Sequence, residues 1–138
     1  MKRVAVSAVG VVSPLGNSAD LAFASARAGR SGIRLLDSPR YPFASRLSTP
    51  LAAIAELDEA ALFSSMQLRM LDRFSLFALI AANQAVQGSG DALAGLDPAR
   101  AGVFVGTGMG GTHSMDEGYQ TLYGERSDRI KPYTILMG

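Results

Sequence analysis

Apolar and small residues run almost unbroken over 3–12, the pattern of a strand covered on both faces. Ser13-Pro14-Leu15-Gly16-Asn17 breaks the run. Ser18 then stands where a hydroxyl can cap a helix over 19–28, with Leu21, Phe23 and Ala26 for packing and Gly29 as its stop. Residues 30–50 hold Pro39, Pro42 and Pro50 and read as irregular. That is long for a structureless connection, and such segments tend to be functional or to pack on a neighbouring chain. The strongest helical pattern lies over 71–87, where Phe74, Phe77 or Ala78, Ala81 and Ala85 recur at helical spacing before Gly88-Ser89-Gly90. Its small-residue face predicts close packing. A second buried strand over 101–105 enters Gly106-Thr107-Gly108-Met109-Gly110-Gly111, and a polar helix is expected over 114–123. The apolar stretch 131–138 is made a poor central strand by Pro132.

Strands separated by helices predict an α/β fold, and two strands are too few for a parallel sheet with both faces covered. The sequence therefore reads as the beginning of a larger domain, with 1–138 as one unit and the remainder absent. Composition changes this picture little: 48% hydrophobic and 18% charged residues describe a globular chain rather than a disordered one. Charge matters more, because a net +1 lacks the basic excess that nucleic-acid phosphates require. The absence of cysteine excludes disulfides, thiolate metal sites and a cysteine nucleophile within these residues. The single histidine, His113, excludes a site built on two imidazoles. No metal and no cofactor is expected. No apolar run approaches the roughly 20 residues that span a bilayer. The basic, then apolar, start is explained better by a strand than by an export signal, so the expected compartment is cytoplasmic.

Gly106, Gly108 and Gly111 satisfy G-x-G-x-x-G after a strand. In a dinucleotide-binding protein the next helix would receive a pyrophosphate on its N–H groups. Here Asp116 and Glu117 stand near that helix start, and no convincing strand precedes Glu125 or Asp128, the candidates for a ribose contact. A lone glycine fingerprint is weak. The plainer account is that these glycines permit tight turns and close backbone approach.

Five segments, in order, resemble the β-ketoacyl-[acyl-carrier-protein] synthases, the elongating condensing enzymes of fatty-acid and polyketide synthesis. These are Val9-Gly10-Val11-Val12-Ser13-Pro14-Leu15-Gly16-Asn17, Ala28-Gly29-Arg30-Ser31-Gly32-Ile33, Leu71-Asp72-Arg73-Phe74-Ser75, Val105-Gly106-Thr107-Gly108-Met109-Gly110-Gly111 and Lys131-Pro132-Tyr133. In the third, Leu71 replaces the family's Met. The resemblance implies the amino-terminal part of a thiolase-like layered αβαβα fold, with an incomplete sheet in this segment and a dimeric whole. It also implies chemistry. A cysteine thiolate accepts an acyl group from acyl-carrier protein, two histidines assist decarboxylation of malonyl-carrier protein, and the carbanion attacks the acyl-cysteine. A thiolate suits the task because it is strongly nucleophilic and leaves readily from a thioester. The family places all three catalytic residues beyond Gly138, so this segment alone is expected to be inert.

What the resemblance assigns here is substrate shape. Gly108 and Met109 fall at the acyl pocket, Met115 at another apolar pocket position, and Thr134 where many relatives carry Phe. A flexible thioether can move aside for an acyl chain, although spacing alone would make both methionines ordinary core filler. For carrier docking the chain keeps Arg69 and Arg129 but has Met66, Met70 and Asp128 where bases are usual. Weaker electrostatic steering is expected. His113 matches no functional position of the family. A non-catalytic chain-length factor, the partner subunit of a ketosynthase, would share this architecture, and the residue at the downstream strand-to-helix turn would separate the two.

Overall fold

The protein is described from a computed structural model, which covers residues 3–36, 39 and 41–129. The segments 131–133 and 131–138, and Thr134 with them, lie outside the described residues.

The order of elements is α1 (Ala19–Arg27), β1 (Ile33–Leu35), a 3-10 turn (Pro42–Arg46), β2 (Leu51–Ala53), α2 (Glu59–Leu62), α3 (Ser65–Met70), α4 (Arg73–Ser89), and α5 (Thr112–Tyr119). Two further 3-10 turns, Gly90–Leu93 and Pro98–Arg100, follow α4, and a π-turn, Gln120–Gly124, extends α5. This is a mixed α/β arrangement. Ser18 caps α1 as expected, accepting from the Leu21 amide at 3.3 Å, and Gly29 ends the turn at φ 67°. α4 is the longest element, begins at Arg73 under an Asp72 cap, and stops where Gly90 adopts φ 49°.

Residues 30–50 are not irregular throughout. β1 and β2 pair antiparallel, with Ile33 opposite Ala53 and Leu35 opposite Leu51, and the Leu36 amide extends the pairing to the Pro50 carbonyl at 2.8 Å. The Arg34 guanidinium bonds the Ile54 carbonyl and the Glu56 carboxylate beyond the end of the pair. Pro42 begins the 3-10 turn and Pro50 lends the pairing only its carbonyl, so neither has to supply a ladder N–H.

The two expected buried strands are the main correction. Among the described residues, β1 and β2 form the only sheet, and neither 3–12 nor 101–105 joins a ladder. Most of their side chains are exposed, Val4 by 95%, Val103 by 90% and Phe104 by 97%, while Val11 and Val12 are half-buried. An apolar run records that side chains must be covered; it does not say which segment covers them. Both stretches do approach α4. Gln84 accepts from the Val11 amide at 2.8 Å and donates to the Asn17 carbonyl at 2.7 Å, pinning the opening segment to the helix. Gly10 lies so close that a Cβ would fall 1.8 Å from the Ala81 carbonyl oxygen. Phe74, Phe77, Ala78 and Ala81 thus face a groove of about 420 Å³, bordered by 10–12 on one side and 105–107 on the other. The small-residue face of α4 serves the close packing expected of it.

Candidate functional site

The site is built where α4 begins and the glycine turn ends. Asp72 is only 4% exposed. One carboxylate oxygen accepts from the Phe74 amide at 3.3 Å and caps α4. The other accepts from the Ser114 amide at 2.8 Å, in the first turn of α5. That second contact answers a local deficit. The N-cap of α5 is Gly111, which has no side chain to satisfy the orphan amides of a helix start. A carboxylate from 42 residues earlier in the chain takes the role.

Burial by itself would raise the Asp72 pKa. Hydrogen bonds from the Ser114 hydroxyl and amide and from the Phe74 amide, together with the field of His113, outweigh that cost and hold it below the ordinary 3.8. Next in sequence, Arg73 donates to Glu59 at 2.9 Å and to the Ala55 carbonyl at 2.8 Å, with its guanidinium 5.2 Å from the Phe77 ring centre. Adjacent residues therefore pull in two directions: Asp72 fastens α5 to α4, and Arg73 fastens α2 to it. Between them opens a cleft of about 580 Å³, lined by Tyr41, Phe43, Leu71, Leu76 and the polar side chains of Glu59, Arg73, His113, Asp116 and Glu117.

The glycine turn is stitched from within. The Thr107 hydroxyl accepts from the Gly110 amide at 3.0 Å, and the Thr112 hydroxyl donates to the Met109 carbonyl at 2.8 Å. Gly110 takes φ 57°, a left-handed conformation suited to glycine. At Gly106 and Gly108 a Cβ would meet nothing within 4 Å, so close approach is not what these two glycines serve among the described residues. The dinucleotide account weakens further here. The start of α5 already holds a carboxylate where a pyrophosphate would need to sit.

Met109 lies on the turn, 76% exposed, and Met115 lies on α5, 41% exposed. Neither fills a core among the described residues, and neither borders the cleft or the groove. Gly108 and Met109 are adjacent on one side of the α5 start, with Met115 one residue past the Asp72 contact. Arg69 is exposed in the last turn of α3, flanked by exposed Met66 and Met70. Arg129 is exposed, with its amide donating to the Ser127 hydroxyl at 3.3 Å. His113 stands on α5, with Nε2 3.5 Å from Glu117. Among the described residues no group of His, Asp or Glu is placed to hold a metal ion, and no helix is long and apolar enough to cross a membrane.

Sequence reasoning missed Asp72 and Arg73 as builders of this site. The available signal was a buried-side Asp before a long helix together with a glycine-only cap at the start of another, two complementary needs.

A capped helix thus lies under a glycine turn, with the opening segment pinned across it. The chain belongs to the β-ketoacyl synthase family, since the family described as "Beta-ketoacyl synthase, N-terminal domain" matches residues 1–137. Among individual relatives, it is 33% identical over 135 residues to the 3-oxoacyl-[acyl-carrier-protein] synthase 2 of Coxiella burnetii, covering 97% of this chain and 32% of that protein. It is 34% identical over 138 residues to the 3-oxoacyl-[acyl-carrier-protein] synthase I, chloroplastic, of Arabidopsis thaliana, covering 97% of this chain and 28% of that one. The synthase 2 of Vibrio cholerae is 28% identical over 135 residues. The chain thus spans about a third of the length of the curated relatives it matches.

Proposed function

We propose that these residues are the amino-terminal part of a 3-oxoacyl-[acyl-carrier-protein] synthase domain with a thiolase-like layered fold. The observation that carries this reading is the family match along residues 1–137, joined by relatives named for that activity. In the intact protein a cysteine thiolate takes the acyl group from its carrier thioester and releases the carrier thiol. Malonyl-carrier protein loses carbon dioxide with the aid of two histidines. The carbanion left behind attacks the acyl-cysteine, forms the new carbon–carbon bond and expels the thiolate. This chain has no cysteine and one histidine, so other sequence of the intact protein supplies those groups.

The share of the work assigned to this segment is recognition. Gly108, Met109, Met115 and Thr134 shape the acyl pocket, and Arg69 and Arg129 meet the acidic carrier. The whole functions as a dimer in the cytoplasm. The test is to supply the intact protein with acyl- and malonyl-carrier protein. Carbon dioxide release and a carrier-bound 3-oxoacyl product are expected; neither product with any acyl chain length would overturn the reading.

A further inference from the structure

We infer that Asp72 is a positioning residue for acyl-chain selection, holding the glycine turn at a fixed height over α4 through the start of α5. The inference rests on the proposed ketosynthase reading, in which Met109 borders the acyl chain. The connection can be followed bond by bond. Asp72 is fixed at the head of α4 by the Phe74 amide. Its other oxygen holds the Ser114 amide at 2.8 Å. Two residues before Ser114, the Thr112 hydroxyl holds the Met109 carbonyl, and Thr107 closes the turn on the Gly110 amide. Met115 follows Ser114 directly.

Among the described residues no second side chain caps the start of α5, because Gly111 offers none. Ser114 and Gly111 are buried there while Met109 is exposed, so the anchor is rigid and the selecting side chain is free to meet a ligand. A shift of the turn by a fraction of an ångström changes the depth offered to an acyl chain more than it changes the distant chemistry.

The test uses Asp72→Asn in the intact protein. An asparagine carbonyl still accepts one amide and can cap α4, but its NH2 cannot accept from Ser114. Two readouts are taken. The first is the ratio of kcat/KM for a long and a short acyl-carrier substrate at constant malonyl-carrier protein. It should move by about tenfold, the worth of one charge-assisted hydrogen bond. The second is amide hydrogen exchange, which should quicken by about tenfold over 112–119 relative to 80–89. A purely structural role would lower both substrates in proportion and leave the ratio fixed, which overturns the inference, as would unchanged exchange over 112–119. A wild-type protein that condenses neither substrate overturns the ketosynthase reading and the inference with it. An active wild type with an unmoved ratio removes only Asp72.

Discussion

A methyl group added at Gly10 would press into the Ala81 carbonyl, which is helix backbone and cannot turn aside. Gly10→Ala should therefore lift the opening segment from α4 and strain the Val11–Gln84 bond. A cost of about 2–3 kcal/mol is expected, read as a lowered unfolding midpoint of the intact protein. Asp72 has a different signature. Its folded pKa lies below 3.8, so the unfolded chain binds the proton more tightly and folding favours the charged form. That stabilisation is fully present above about pH 5 and is lost as pH falls through 3.8 and below, a limb that Asp72→Asn should flatten. The cleft groups Glu59, Arg73, His113, Asp116 and Glu117 remain in the variant as a common background. At Met109 the expectation concerns substrate: Met109→Phe should shorten the acyl chains accepted by the intact enzyme and Met109→Gly should lengthen or broaden them, measured by product profile. Unchanged profiles in both would remove it from the pocket. Single residues were unevenly legible. Ser18 announces its cap because the hydroxyl acts three residues away, whereas Asp72 and Ser114 meet across 42 residues, a distance that no local pattern encodes.

Among elements, helices were read more truly than strands. A helix closes its own hydrogen bonds, so the periodicity of 73–89 carries enough information to place α4 within two residues of its expected start. A strand is completed by its neighbour. The sequence around Ile33 and Leu51 gave no sign of a partner, while the stronger apolar runs at 3–12 and 101–105 have no ladder among the described residues. α3 matters to the proposed carrier docking, because it holds Arg69 between two exposed methionines rather than within a basic cluster. Arg69→Glu and Arg129→Glu should each raise the KM for carrier-bound substrate several-fold, roughly the effect of a rim charge, and weaken its salt dependence. Small thioester mimics should react as before. Equal losses with both substrate types would mark a folding defect instead.

At the scale of the whole molecule the balance of surface is decisive. The chain exposes 10998 Å², where a compact monomer of this mass would expose roughly 6,900 Å². Leu36, Ala44, Ala55 and Leu76 are its buried apolar residues among those described, too little core for independent stability. Residues 1–138 expressed alone should therefore be insoluble or self-associating and should turn over no malonyl-carrier protein. A soluble monomer with a sharp thermal transition, or turnover well above a buffer blank, would contradict that. The sequence reading placed the need for covering neighbours at two apolar runs, and the exposed surface at Val4, Val6 and 103–105 falls on those same runs. The same bare segments set a timing problem during synthesis. In a protein of its relatives' length, an amino-terminal third leaves the ribosome first, and elongation at about 5–20 residues per second keeps it waiting for tens of seconds. Throughout that interval Val4, Val6 and Phe104 stay uncovered, so the nascent chain is expected to need shielding from aggregation until later sequence can pack on it.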